Sequence, residues 1–263
     1  MSDYETLVIE TDPRGVATLW LDRPEKHNAL SAQMIDEITL AAEALGNDET
    51  VRVVVLAARG RTFCAGGDLG WMKQQVEADA AARATAARKL AGMLGALNSL
   101  PKPLIGRVHG NAFGGGVGMA CVCDTVVAVD GARFGLTETR LGLTPATIGP
   151  YVIARMGEGR ARQVFMSSRL FGAVEAERLG IVSRVVDDAA LDAAVEDEVA
   201  PYLSCAPGAV ADAKALALGL GSAPDAAAIE ASIDALVGRW ESGEVSEGIA
   251  AFFEKRPAAW AKP

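Results

Sequence analysis

Two glycine-rich turns are the features of this sequence best suited to chemistry. They lie at residues 60–72 and 110–119, and each follows an apolar, β-branched run and precedes a helical pattern. Because glycine lets a ligand approach the backbone closely, Gly67 and Gly115 can direct two main-chain N–H groups at one oxygen atom. A lone glycine cluster more often serves only tight packing. The pair predicts stabilisation of negative charge that develops on a carbonyl oxygen.

Glu138 is the candidate for proton transfer. It follows a predicted strand at 133–135 and has apolar neighbours. Burial at such a place raises the pKa of a carboxyl group toward the range in which it works as a general acid or base. The alternative is a solvated carboxylate, or one paired with Arg140. The residues alone leave these two interpretations open.

Several other chemistries lack the residues they need. The chain has no G-x-S-x-G or H-E-x-x-H motif, and no Lys-Ser or Lys-Thr follows a glycine run. The glycines at 114–116 do not have the spacing of a dinucleotide fingerprint. Of two histidines, His109 precedes the second turn, and it is expected to be a structural imidazole bonded to the backbone. Serine-triad, zinc-hydrolase and nucleoside-triphosphate chemistry are therefore disfavoured.

Composition indicates one large globular unit. The chain has 263 residues, of which 50% are hydrophobic, enough for one core with a small C-terminal appendage. A net charge of −9 is typical of a cytoplasmic protein and argues against nucleic acid or membrane partners. The cysteines contain no C-x-x-C pair, which predicts buried reduced thiols and no metal site. They are Cys64, Cys121, Cys123 and Cys205.

Strand–turn–helix units recur along the chain and predict an α/β core. Strands are expected at 5–10, 16–21, 51–57, 104–108, 125–129, 133–135 and 181–186. A helix capped by Ser31 is expected through Leu45, and helical sequence capped by Asp68 and Asp79 is expected to about Leu100. Later helices are expected at 147–166, 172–179, 190–202, 207–218, 225–240 and 244–254. Residues 221–225 form the weakest joint, between the core and the terminal helices.

The sequence resembles the crotonase, or enoyl-CoA hydratase/isomerase, superfamily over nearly all of residues 5–256. Five motifs in the family's order carry the resemblance, which makes it far more specific than any single motif. They are LDRPEKHNAL at 21–30, TFCAGGDL at 62–69, HGNAFGGG at 109–116, CDTVVA at 123–128 and FGLTETRLGLTP at 134–145.

The resemblance implies a crotonase-like spiral of ββα turns that holds an acyl-CoA site, over residues 1–200. It implies a C-terminal helical trimerisation region over residues 201–263, and a homotrimer or a dimer of trimers. The expected ligands are acyl-CoA thioesters. No metal or redox cofactor is expected, because coenzyme A enters as part of the substrate and the thioester itself accepts the electrons.

The resemblance also implies roles for individual residues. The N–H groups of Gly67 and Gly115 would form the oxyanion hole for the thioester carbonyl, and Glu138 would be the acid–base group. Trp71 and Met72 would shape the acyl pocket, with plain core packing as the alternative. Lys26 and Ala29 would line the CoA cleft, and Ala65 and Leu69 would present backbone groups to the adenine. Lys255 would reach CoA phosphates in a neighbouring subunit. The remaining implied substrate contacts are Gly66, Asp68 and Gly118.

One position departs from the family pattern. Hydratases of the fatty-acid oxidation type carry two catalytic glutamates, and this chain has Gly118 where the first is expected. Glu138 could activate water and protonate C2 alone. Alternatively, the protein is a 3-enoyl to 2-enoyl isomerase, in which one carboxylate shuttles the proton. A low-activity acyl-CoA-binding subunit is the alternative from another functional class.

A carboxylate on the substrate is the third explanation for the single glutamate. The segments 68–72, 114–118 and 137–152 are similar to hydratases of glutaconyl-type CoA esters. These include the methylglutaconyl-CoA and isohexenylglutaconyl-CoA hydratases of leucine and acyclic-terpene breakdown, whose substrates carry a second carboxylate. Arg140, or a residue near Thr147, would meet that distal group.

Overall fold

Two β-sheets form the frame of the molecule. The computed structural model describes residues 4–221 and 224–261. In this part of the chain the strands are β1 (Leu7–Thr11), β2 (Val16–Leu21), β3 (Val53–Ala58), β4 (Thr62–Cys64), β5 (Leu104–Val108), β6 (Asn111–Phe113), β7 (Thr125–Val129), β8 (Arg133–Gly135), β9 (Phe171–Gly172) and β10 (Arg184–Val186).

The chain winds in a spiral between the two sheets. The larger sheet has the order β1-β2-β3-β5-β7-β10, in which only the β1–β2 pair is antiparallel. The smaller sheet has the order β4-β6-β8-β9. Each of the consecutive pairs β3–β4, β5–β6 and β7–β8 places its first strand in the larger sheet and its second in the smaller one. The predicted α/β fold with a ββα spiral is confirmed.

The helices cover the sheets on the outside and begin largely where the sequence predicts. They are α1 (Ala32–Asn47), α2 (Leu69–Glu77), α3 (Ala80–Asn98), α4 (Gly115–Val122), α5 (Gly149–Met156), α6 (Glu158–Phe165), α7 (Ala173–Leu179), α8 (Leu191–Leu203), α9 (Pro207–Leu220), α10 (Ala226–Trp240) and α11 (Gly243–Phe253). Ser31, Asp68 and Asp79 cap α1, α2 and α3 through their side chains, as predicted.

Two sequence expectations about local structure are wrong. The single helix predicted at 147–166 is two helices, because Gly157, at φ +77°, ends α5 before α6 begins. Cys64, Cys121 and Cys123 are buried, but Cys205 is exposed, since α8 ends at Leu203 and leaves the thiol in a surface turn. The short strands β4, β6 and β9 were not predicted, because two or three residues carry no measurable alternation.

The core joins the larger sheet, the helices and the smaller sheet, whose Phe63, Phe134 and Phe171 are fully buried in it. All six residues of β3 are buried, as expected for a strand covered on both faces. A smaller cluster of Leu143, Val245 and Ile249 joins α11 to the segment that follows Glu138. The C-terminal helices therefore pack onto their own chain. The boundary between core and terminal helices was predicted at residues 221–225, of which residues 222–223 lie outside the described residues.

Among the described residues, no single helix has the length and hydropathy needed to cross a bilayer. The bent pair Asp188–Leu203 and Pro207–Leu220, with 107° between its halves, passes that test only when the two are taken together, on length and composition.

Candidate active site

A cavity of about 400 Å³ lies between the two glycine turns, the segment 137–148 and the C-terminal helices. Its size is that of a typical small-molecule site. Eight of the predicted site residues line it, from both turns and from the segment that carries the acid: Ala65, Gly66, Gly67, Leu69, Trp71, Met72, Gly115 and Glu138. The structure thus brings the proposed oxyanion donors and the proposed acid–base group to one space.

The first turn is held by a short bridge to Leu30. The Leu30 N–H donates to the Gly66 carbonyl at 2.7 Å, and the Asp68 N–H donates to the Leu30 carbonyl at 3.0 Å. Gly66 has φ +92°, a conformation that favours glycine. Between these bonded groups, the Gly67 N–H donates to no acceptor among the described residues. It therefore remains available to a ligand in the cavity.

The second turn presents a helix N-terminus to the same cavity. The Gly114 N–H donates to the Gly135 carbonyl at 2.9 Å, which fixes the turn to β8. The Gly118 N–H donates to the Gly114 carbonyl at 3.1 Å, and this is the first i→i−4 bond of α4. The Gly115 N–H precedes that bond and is one of the helix's unpaired donors. A Cβ on Gly115 would lie 2.5 Å from Leu30 Cδ1, so a larger residue at this position would displace the end of the Leu30 side chain.

Glu138 lies against the second turn. A Cβ on Gly114 would be 3.1 Å from Glu138 Oε1, while Glu138 Oε2 is buried and has no hydrogen-bond partner among the described residues. Burial raises the pKa of Glu138 from 4.5 to about 7, opposed by a hydrogen bond from its own backbone N–H. Glu138 forms no ion pair with Arg140 among the described residues, and its Oε2 is buried, so the solvated and the paired alternatives are both wrong. Both protonation states of Glu138 are accessible near neutral pH.

The side chain of Ile148 occupies the space in front of Gly118, where the second catalytic glutamate of the family would stand. Gly118 is buried inside α4, and a Cβ there would lie 2.8 Å from Ile148 Cγ2. Ile148 itself lines the cavity. Among the described residues that line the cavity, Glu138 carries the only carboxyl group. A longer side chain at position 118 could not reach the cavity unless Ile148 moved.

Five predicted site residues lie outside the cavity lining. Gly118 is behind Ile148, and the side chain of Asp68 caps α2 and pairs with Arg23 Nη2 at 3.1 Å. The Ala29 carbonyl accepts a hydrogen bond from Arg23 Nη1 at 2.9 Å. Lys26 is exposed at the end of the 3-10 turn Pro24–Lys26, and Lys255 is exposed just after α11. None of these five contacts the cavity in the single chain.

The C-terminal helices supply a wall that sequence reasoning missed. Leu236 and Trp240 from α10 and Phe252 from α11 line the cavity. Trp240 is partly buried, and the Arg83 guanidinium lies 5.4 Å from its ring centroid. Helical periodicity shows that a face is apolar, but it does not show which surface that face covers. No signal in the sequence placed these residues at the site.

His109 has the structural role that the sequence predicts. Its Nε2 lies 2.9 Å from the Gly60 carbonyl, to which it donates in the matching tautomer. Burial lowers the pKa of His109, which favours the neutral imidazole. His109 does not line the cavity. The interpretation as a backbone-bonded imidazole is confirmed.

Further polar groups line the cavity on the segment that follows Glu138. Thr144 Oγ1 and Thr147 Oγ1 are buried and have no hydrogen-bond partner among the described residues. Arg140 is exposed at the cavity, and its guanidinium has no ion-pair partner in residues 4–221 and 224–261. Sequence reasoning pointed to Arg140 and to the vicinity of Thr147, but it missed Thr144 and Ile148.

Comparisons with known proteins agree with this geometry. The enoyl-CoA hydratase/isomerase family matches residues 11–263. A Thermus thermophilus protein that is provisionally named an enoyl-CoA hydratase is 34% identical over 95% of this chain and 99% of its own length. The crystal structure of an enoyl-CoA hydratase from Shewanella pealeana has a TM-score of 0.80 and 36% identity, with coverage of 98% of this chain and 97% of that one. The structure of Pseudomonas aeruginosa AtuE has a TM-score of 0.80 and 37% identity, with coverage of 98% and 100%.

The fold, the paired glycine turns and these similarities define the class: the chain belongs to the enoyl-CoA hydratase/isomerase family, within the crotonase superfamily. It is an enzyme of the enoyl-CoA hydratase type.

Proposed function

We propose that the protein adds water across the 2,3 double bond of an acyl-CoA thioester. One observation carries the proposal. A buried carboxyl group with a free oxygen, Glu138, lies in the same cavity as the unpaired N–H groups of Gly67 and Gly115. This combination supplies both a proton carrier and a site for an enolate oxygen.

In the first step, water attacks C3 of the substrate. The thioester carbonyl accepts hydrogen bonds from the Gly67 and Gly115 N–H groups. Ionised Glu138 takes a proton from the water as the water oxygen bonds to C3, and the electron pair of the double bond moves to the thioester oxygen as an enolate. Each main-chain donor contributes about 3 kcal/mol to such a charge in comparable enzymes.

In the second step, protonated Glu138 gives its proton to C2 and the thioester carbonyl re-forms. One water molecule has been added, and Glu138 is ionised again. A pKa of about 7 suits a group that must lose and regain a proton in each turnover. This scheme uses no metal or redox cofactor, because the thioester is the electron sink.

Coenzyme A is proposed to lie along the first turn and the 22–30 loop. Ala65 and Leu69 line the cavity mouth and can offer main-chain groups to the adenine. Lys26 and Ala29 lie on the loop that Arg23 ties to Asp68, the N-cap of α2. Lys255 is proposed to meet CoA phosphates of a neighbouring subunit, because it is exposed and lines no part of its own chain's cavity.

The substrate is proposed to be a branched or glutaconyl-type ester that carries a distal carboxylate. Arg140 supports this proposal, because it is a cationic residue of the cavity lining and forms no ion pair among the described residues. Trp71 and Met72 give the acyl wall apolar surface. A distal carboxylate would thus have Arg140 as its one cationic partner among the lining residues of the described chain.

A second candidate function is isomerisation of a 3-enoyl to a 2-enoyl thioester. The observation that favours it is the packing of Ile148 against Gly118. Among the described residues that line the cavity, only Glu138 carries a carboxyl group. In this reaction Glu138 takes a proton from C2 and returns it to C4, while the same two N–H groups hold the enolate. No water is consumed.

A substrate panel with product identification separates these functions. The panel is crotonyl-, 3-methylcrotonyl-, 3-methylglutaconyl- and 3-hexenoyl-CoA. Hydration removes the conjugated-thioester absorbance and gives a 3-hydroxy product, whereas isomerisation of 3-hexenoyl-CoA creates that absorbance. We expect hydration, fastest with 3-methylglutaconyl-CoA, and a loss of about 10³-fold in Glu138→Gln. Undiminished turnover by that variant, or binding without turnover of any ester, would contradict the proposal.

We also propose a homotrimer, or a dimer of trimers. No residue of α9 is buried in the single chain, and Leu216 and Leu220 are 62% and 81% exposed. Such an apolar surface is expected to meet another subunit. Light scattering should report a trimer or hexamer for the wild type and a smaller species for Leu216→Asp/Leu220→Asp. Leu40→Asp, at a residue 57% exposed on α1, is the control that should not change the mass.

A further inference from the structure

The turn that carries Glu138 depends on support from the rest of the chain. It is a 3-10 turn of four residues, Glu138–Leu141, and no side chain caps its N-terminus. The internal hydrogen bonds of such a turn have poor geometry, so one turn is not stable by itself. Among the described residues, the Glu138 carboxyl group receives a hydrogen bond only from its own backbone N–H. The backbone of the turn therefore sets the position of the acid.

The hydroxyl group of Ser168 holds this turn through hydrogen bonds. The Arg140 N–H donates to Ser168 Oγ at 3.0 Å, and Ser168 Oγ lies 2.6 Å from Thr139 Oγ1. Thr139 Oγ1 donates its own proton to the Met166 carbonyl at 3.3 Å, so Ser168 is the donor between the two hydroxyls. The two residues that directly follow Glu138 are thereby tied to the segment after α6.

Ser168 makes these bonds from a strained backbone. The residue is 4% exposed and has φ +50°, a region that residues other than glycine rarely adopt. Glycine would accept this conformation without strain, but it has no hydroxyl group. Strained residues persist where the surrounding structure fixes them, and they cluster at functional sites. Ser168 is not among the residues that line the cavity, so its effect on a bound substrate must pass through the turn.

We propose that Ser168 is a positioning residue for Glu138, an inference that rests on the proposed function. Its hydroxyl group fixes Thr139 and Arg140, and these two residues fix the backbone from which the Glu138 carboxyl group reaches the cavity. The same hydroxyl group also holds the backbone of Arg140, the proposed partner of a distal carboxylate. A substrate without that carboxylate therefore isolates the effect of Ser168 on the acid.

Exchange of the C2 protons of butyryl-CoA with D₂O, followed by NMR, provides such a substrate. Ionised Glu138 takes a proton from C2 while the Gly67 and Gly115 N–H groups hold the enolate. The Glu138 carboxyl group then exchanges its proton with D₂O and returns a deuteron to C2. For Ser168→Ala we expect kcat of exchange to fall about 10- to 100-fold, with KM within about threefold of wild type. Hydration of crotonyl-CoA should lose kcat by the same factor.

Two further variants separate positioning from stability. Ser168→Gly also removes the hydroxyl group but accepts φ +50°, so it should lose as much kcat as Ser168→Ala and unfold at a higher urea concentration. Ser183→Ala is the matched control. The Ser183 hydroxyl group accepts the Val126 N–H at 3.1 Å and thus also joins two distant segments, but Ser183 lies outside the cavity lining. Its loss should lower the urea midpoint and leave kcat within about twofold of wild type.

Three results would overturn the inference and leave the proposed function intact. They are wild-type kcat in Ser168→Ala, a loss expressed in KM alone, and a kcat that follows the urea midpoint across the three variants. A wild-type protein that neither exchanges butyryl-CoA nor hydrates any ester of the panel would instead refute the proposed function, and with it the role of Ser168.

Discussion

The two sides of the active-site cavity are built from different parts of the polypeptide. On one side, residues 65–67 and 113–115 present main chain that hydrogen bonds fix to residues 27–30 and to β8. On the other side, Leu236, Trp240 and Phe252 present side chains from the C-terminal helices. In the proposed mechanism, charge stabilisation depends on backbone geometry. Acyl selection, in the same proposal, depends on side chains that can change without disturbing the sheets.

The largest effect should follow a change on the main-chain side. Gly114→Ala places a Cβ 3.1 Å from Glu138 Oε1 and forces alanine into φ +48°. The Glu138 carboxyl group or the turn must then shift by a few tenths of an ångström. Because a misplacement of about 1 Å costs about 10²-fold in rate, we expect this smaller shift, together with the strained backbone beside the Gly115 N–H, to lower kcat about 10- to 100-fold. The strained backbone should also lower the free energy of unfolding by about 1–2 kcal/mol. Steady-state kinetics and urea unfolding measure the two effects.

Gly92→Ala is the control for Gly114→Ala. Gly92 is inside α3, and a Cβ there meets nothing within 4 Å. Alanine should keep full activity and raise the stability by about 0.5–1 kcal/mol. Equal activity of the two variants would contradict the claim that the backbone at Gly114 positions the acid.

Burial of Glu138 should appear as a pH-dependent cost in stability. Its pKa is about 7 in the folded protein against an ordinary 4.5, so the folded state holds the proton more tightly than the unfolded state. The stabilising contribution is complete below pH 4.5 and is lost as the pH rises to about 7. Glu138→Gln should therefore be more stable than wild type above pH 7, by about 3 kcal/mol at most, with the difference shrinking toward pH 4.5. Urea unfolding at pH 5, 6, 7 and 8 measures this difference, and a constant difference across the range would argue against a buried carboxylate.

A smaller effect is expected on the side-chain wall. Trp240→Ala enlarges the acyl end of the cavity, so we expect kcat/KM to fall about tenfold for a short ester, mainly through KM. Longer acyl groups should lose less, because they can fill the space. Trp260→Ala, at a tryptophan that is 41% exposed and outside the cavity lining, should change neither value. An equal loss of kcat for all acyl chain lengths would indicate that Trp240 acts in the chemical step. The side-chain wall would then not be limited to acyl selection.

Sequence patterns predicted the main-chain side far better than the other. Glycine turns, capping residues such as Ser31 and Asp79, and the apolar run of β3 are local signals, and the structure follows them. The burial of Glu138 was one of two open interpretations, because burial depends on residues distant in sequence.

The rest of the site depends on tertiary packing. The contact of Ile148 with Gly118 joins positions thirty residues apart, and α10 and α11 meet the cavity only after the chain folds back. Amphipathic spacing gives a helix its apolar face but not its partner. The CoA contacts proposed for Lys26, Ala29, Asp68 and Lys255 stay predictions for the same reason.

The pH dependence of kcat/KM for hydration tests the central claim most directly, because it measures the group that must be ionised before water is attacked. With Glu138 buried beside the second turn, the account predicts a rate that falls tenfold per pH unit below an apparent pKa of about 7 and levels off above it. A profile that is flat between pH 5 and 8, or one with its inflection near the ordinary glutamate value of 4.5, would contradict it.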